Sequence, residues 1–180
     1  MNIKHEHKTN TTLVLLITVV FVVLVLLQYL PSRNASANML ELEIEMKRSN
    51  YQVDQPIPVL VRLKNSGSSV IVVQKRLVLN SPGTPNFAKD VEFHIANSLS
   101  EPVRFMSQVD ARLVNPEDIK FLLPGKSIEV TYDINIDYEF NPGESYSVYA
   151  IYQNSSESDK SSLTWKGTLI SNSLLFDISP

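Results

Sequence analysis

From Leu40 to Lys47 the chain alternates apolar and charged residues without a break: Leu-Glu-Leu-Glu-Ile-Glu-Met-Lys. Period two is the mark of a strand with one buried and one wetted face, because successive side chains leave a strand on opposite sides. The pattern recurs along the chain. Ile57, Val59, Val61 and Leu63 line one face of a second strand, with Pro56 and Pro58 at its start, where a missing N–H is tolerated. Val70–Leu79 is continuously apolar at first, which predicts a central third strand. Val91, Phe93 and Ile95 mark a fourth, and Val103 and Phe105 a fifth. Ile128–Phe140 carries the longest alternation, too long for one straight strand, so a bend is expected near Asn135 or Asp137. Tyr146, Val148 and Ala150 share a face of the next strand, and a last strand or pair runs from Leu163 to Ile178, interrupted around Ser171-Asn172.

Turn chemistry separates these runs. Asn65-Ser66-Gly67-Ser68-Ser69, Pro124-Gly125 and Asn141-Pro142-Gly143-Glu144 supply the residues that tight turns need. Asn80–Asp90 and Asn154–Ser162 read as loops, and Ser107–Asp118, the least legible stretch, reads as a connection or a short edge strand. Seven or eight regularly spaced strands without a helix predict an all-β fold, an antiparallel two-sheet sandwich over residues 40–180. The chain has no cysteine. Its core must therefore hold without a disulfide, and thiol catalysis and cysteine metal sites are excluded.

Ahead of this domain, Thr12 to Leu30 contains no charged residue. As a helix it would cover roughly 28 Å, close to the hydrocarbon thickness of a bilayer. Residues 1–11 then form a cytoplasmic tail, 12–30 a transmembrane signal-anchor and 31–39 a linker. Lys4 and Lys8 before the helix favour an inside amino end, with the carboxyl domain on the periplasmic or extracellular side, and Tyr29 sits where amphipathic rings settle at an interface. The competing reading is a secretory signal cleaved after Ala37, for which Ala35-Ser36-Ala37 provides small residues. Acidic residues outnumber basic ones 19 to 16, and Lys4, Lys8, Arg33 and Glu6 precede the domain. The domain's net charge is thus roughly −5, the wrong sign for phosphate backbones, so no nucleic-acid partner is expected.

Val59-Leu60-Val61-Arg62-Leu63-Lys64-Asn65-Ser66-Gly67 resembles the second strand and turn of bacterial envelope immunoglobulin-like domains. Asn141-Pro142-Gly143-Glu144-Ser145-Tyr146-Ser147-Val148 is similar to their tyrosine corner, where the tyrosine hydroxyl bonds a backbone group upstream. Val148 stands where antibody domains place their second cysteine, and Trp165 comes too late to be the buried tryptophan of the third strand. The likeness covers most of Leu40–Ile178 and implies an immunoglobulin-like sandwich; fold alone does not confer a function.

Catalytic chemistry finds little material. His94 is the one histidine of the domain, and its alternation with Phe93 and Ile95 predicts a solvent-facing position. Asp133-Ile134-Asn135-Ile136-Asp137-Tyr138-Glu139 spaces oxygen ligands at every second residue, either as the wet face of a strand or, less simply, as a calcium site. Asn34 and Asn154 begin glycosylation sequons. No cofactor is expected. Trp165 is either a core plug or an exposed anchor for a partner, and with Pro82, Pro85 and Phe87 of the Asn80–Asp90 loop it makes up the candidate partner-binding set. These features suit a non-enzymatic, membrane-anchored module that binds another envelope or secreted protein. The alternatives are a proteinase inhibitor presenting the proline-rich loop, or a structural or assembly subunit of a membrane complex.

Overall fold

Alternation becomes burial in β1 (Leu40–Met46), where Leu40, Leu42 and Ile44 face inward and the intervening glutamates face water. The computed structural model describes residues 39–80, 90–107, 116–155 and 163–180, all within the unit Asn38–Pro180. β1 pairs antiparallel with β3 (Pro58–Asn65), and β3 with β8 (Ser127–Asp133). On the outer face of this sheet Arg62 lies among Glu43, Glu45 and Glu129, a solvated charge ladder.

A larger sheet runs in the order β2 (Asn50–Gln52), β11 (Leu174–Ser179), β9 (Ser145–Asn154), β6 (Val91–Asn97) and β5 (Leu79–Asn80), with β10 (Gly167–Ile170) also on β9. A two-stranded ribbon joins β4 (Ile71–Gln74) to β7 (Ile119–Leu122). Val59, Val61 and Leu63 of β3, Phe93 of β6, Val148 and Tyr152 of β9 and Phe176 of β11 belong to one buried cluster, so the sheets share a core. Asn172, in the β10–β11 connection, takes the N–H of Ile44 (2.9 Å) and donates to its carbonyl (3.0 Å), occupying backbone groups that β1 would otherwise offer to a stray strand. Tyr146, at the start of β9, accepts the Asn141 N–H (2.8 Å) and donates to Glu144 Oε2 (2.8 Å).

The fold is all-β, and several details differ from expectation. Val70–Leu79 is no continuous central strand. Pairing stops at Gln74, Leu77 turns with φ +46° and is buried, and Leu79–Asn80 joins a different sheet. The sheets are mixed rather than wholly antiparallel, since β2–β11 and β5–β6 are parallel. Val103 and Phe105 make no strand. Among the described residues the β pairing there is limited to the isolated bridges Ala96–Pro102 and Phe105–Tyr138. Beyond Asp133 the long alternation gives way to a single helical turn, α1 (Ile134–Asp137), where a bend was expected. Ile57 dictates it: its carbonyl accepts the Ile134 N–H (3.1 Å) and its N–H donates to Asn135 Oδ1 (3.0 Å). Counting the short pieces, the described residues form eleven strands rather than seven or eight.

Buried phenols set the domain's response to alkali. Tyr132 donates to the Leu77 carbonyl and Tyr138 to that of Phe93, and burial pushes both hydroxyls well above the usual tyrosine range. Above about pH 10 the unfolded chain releases these protons while the folded chain keeps them, so stability falls as pH rises. Urea midpoints measured from pH 8 upward should drop past that point, and the drop should shrink in Tyr138→Phe. Tyr51 is different. Its buried hydroxyl has no hydrogen-bond partner among the described residues. Tyr51→Phe should therefore leave the melting temperature unchanged or raise it, because the desolvation cost of an unmade bond disappears. A loss beyond about 1 kcal/mol would instead reveal a bond to that oxygen.

Candidate protein-interaction surface

The two loops singled out from sequence spring from adjoining places. Asp90 anchors the first. Its carboxylate, wholly buried, accepts from Arg76 Nε (2.6 Å), Gln74 Nε2 (2.8 Å) and the Val78 N–H (3.2 Å). Burial pushes the Asp90 carboxyl above its ordinary range, and the Arg76 guanidinium, the Val78 N–H and the Gln74 amide pull against that. The Val91 N–H closes the same junction on the Val78 carbonyl (3.0 Å), so the chain entering residues 81–89 lies beside the chain leaving them.

The second loop is rooted on that junction. The Asp90 carbonyl accepts the Gln153 N–H (2.9 Å), and the adjacent Asn154 donates its side-chain amide to the Trp165 carbonyl (2.7 Å). Asn154 pairs with Gly167 across the β9–β10 ladder. Trp165 in turn donates its N–H to the Val72 carbonyl on β4 (2.7 Å). Val78, Asp90, Gln153 and Trp165 thus lie close together, a relation that one-dimensional order conceals.

Trp165 itself is half-buried. Its indole lies nearly parallel over the Tyr152 ring, with centroids 5.9 Å apart, and packs against the core. Gly167, with φ +149°, closely approaches the same indole. A Cβ there would stand 2.9 Å from the indole, too close for any side chain. Large apolar side chains nearby are left in water. Val72, which accepts the Trp165 N–H, pairs with Phe121, and Phe121 is 68% exposed. Val70 and Leu123 continue the same face by alternation and are also exposed, and Leu163, two residues before Trp165, is 76% exposed. Successive strands lie about 4.8 Å apart, so Trp165 and Phe121 flank Val72 at close range. Contiguous exposed apolar groups are uncommon on isolated domains and mark contact surfaces.

Pro82, Pro85 and Phe87 lie outside the described residues. His94 does occupy the outer face of β6, but half-buried rather than free: its Nε2 is 2.5 Å from Glu92 Oε1 and its ring stacks on Tyr149. Asp133–Glu139 is no continuous strand face, and Asn135 spends its oxygen on Ile57. Among the described residues no three His, Cys, Asp or Glu side chains come together to hold a metal. The Asn154 sequon is inaccessible in the folded domain, since Asn154 is buried and its amide is committed to Trp165. Asn34 and residues 12–30 lie outside the described residues, among which no helix is long and apolar enough to cross a membrane. Phe121 and Leu123 were not singled out from sequence. Their signal, apolar residues on both faces of the short run Ile119–Leu123, is visible only in retrospect.

Fold and surface together define an all-β domain with a group of exposed apolar side chains, Val70, Phe121, Leu123 and Leu163, near Trp165. No protein-family model matches the chain, and no curated protein matches its sequence.

Proposed function

We propose that this chain is a non-enzymatic, membrane-anchored, extracytoplasmic immunoglobulin-like module that binds another protein of the cell envelope or a secreted protein. The observation that carries the reading is the common root of the two loops beside exposed Phe121 and Leu163. Loops held by a rigid scaffold, next to apolar groups already in water, suit recognition. The strand order supports the immunoglobulin-like assignment. In this reading β1, β3 and β8 would correspond to the A, B and E strands, and β6, β9 and β11 to C, F and G. The bond from the Asn141 N–H to the Tyr146 hydroxyl has the form of a tyrosine corner. The uncharged run 12–30 supports anchoring.

The test is chemical cross-linking of the full-length protein in its native membranes, followed by mass spectrometry of what co-purifies. A Phe121→Ser/Leu163→Ser double variant should lose the principal cross-linked partner while its melting temperature stays unchanged, because both side chains are already in water. Equal recovery of that partner with the variant, or recovery of the protein alone in wild type, would overturn the reading. Trp165, Pro82, Pro85 and Phe87 extend the same proposed surface and should cross-link to the same partner.

A further inference from the structure

Three contiguous cavities, of about 280, 210 and 580 Å³, follow the outer face of the larger sheet. The first, beside Gln153 and Thr168, shares His94 with the second. The second shares Ser100 and Ser147 with the third, which reaches Leu175 and Asp177. From Gln153 to Ser145 along β9 the groove runs about 27 Å at about 3.4 Å per residue, long enough for several linked rings.

Its chemistry narrows the occupant. Among the described residues no lysine or arginine lines any of the three cavities, so these walls offer a polyanion no counter-charge. The carboxylates are answered from within: Glu92 by His94, Asp90 by Arg76, and Asp177 by the Ser145 hydroxyl at 2.5 Å. A strongly cationic chain is therefore not called for either. What stays open is neutral. Among the described residues, no hydrogen bond engages the hydroxyls of Ser147 and Thr168 or the side-chain amide of Gln153. Midway, the Tyr149 ring lies flat against His94, 8° from parallel, and its second face has no ring partner among the described residues. An aromatic face flanked by unspent hydroxyl and amide groups matches a molecule with C–H ring faces and hydroxyl edges.

We propose that this groove binds a neutral oligosaccharide chain. Tyr149 is its stacking platform, and Ser147, Gln153 and Thr168 are its hydrogen-bond partners. The assignment is independent of the proposed protein-binding surface around Trp165, Phe121 and Leu163.

The experiment uses the full-length protein in a zwitterionic detergent without a sugar headgroup. Tetra- and hexasaccharides of glucose, mannose and N-acetylglucosamine are titrated by calorimetry and by saturation-transfer NMR. The expected result is saturable binding of at least one of them. Tyr149→Ala should weaken it about tenfold, and Ser147→Phe, which fills the groove from an outward-facing position, should abolish it while the melting temperature holds. Absence of saturable binding across the panel overturns the proposal, as does binding that neither variant changes. Oligolysine binding that Ser147→Phe abolishes, with no sugar bound, overturns it in favour of a basic peptide.

Discussion

Asp90→Ala is expected to destabilise the domain by about 3–5 kcal/mol, enough to unfold much of it at growth temperature. The Arg76 and Asp90 side chains are 4% and 0% exposed, and the carboxylate also serves the Gln74 amide and the Val78 N–H. Truncation removes the acceptor for all three donors and leaves the Arg76 guanidinium buried without that carboxylate. The cost falls where the chain passes from β4 to β5, and so on the root of both loops. Chemical denaturation of wild type, Asp90→Ala and Asp90→Asn measures it. Asp90→Asn should be milder, because its amide oxygen can still accept the Val78 N–H. A loss under about 1 kcal/mol in Asp90→Ala would show that the cluster bears little of the domain's stability.

Trp165→Ala should cost about 2–4 kcal/mol, somewhat below a fully buried tryptophan because part of the indole is already in water. The loss comes from uncovering Tyr152, on which the indole lies. Gly167→Ala is the companion experiment. The new methyl would meet the indole at 2.9 Å on a backbone with φ +149°, so the ring must move, at about 1–3 kcal/mol. Trp165 is the one tryptophan of the chain, and its fluorescence therefore reports that displacement directly. If Trp165→Ala left the melting temperature unchanged while abolishing the cross-linked partner, Trp165 would be an exposed anchor and no plug. A stability loss with partner binding intact in the remaining folded fraction would make it a plug alone.

How much was legible depends on where each residue finds its partner. β1, β3 and β9 declare themselves because each has one face in the core and one outside, and that asymmetry is written residue by residue. Val70–Leu79 misleads for the opposite reason. It is apolar enough to run straight, yet Asp90 captures Val78 and Arg76 and breaks it. Nothing near Val78 in the sequence announces that carboxylate. Likewise Ile134 and Ile136 continue the alternation of β8, but Ile57, far earlier in the chain, curls them into a turn that leaves Ile136 exposed. Among candidate contact residues, Trp165 is conspicuous as a residue type. Phe121 is conspicuous only once Val72 is known to lie between them.

By itself the sequence determined the strand class, the inward residue of nearly every long strand, and an uncharged run of spanning length. Each of these follows from local periodicity or local composition. Only the tertiary structure decided which strands share a sheet, that Asn80–Asp90 and the loop ending at Trp165 share a root, and that Ser147 and Tyr149 line one groove. Those relations are set by hydrogen bonds and packing between residues far apart in the chain. No local pattern encodes them, because a strand's alternation states which face is buried and never what buries it.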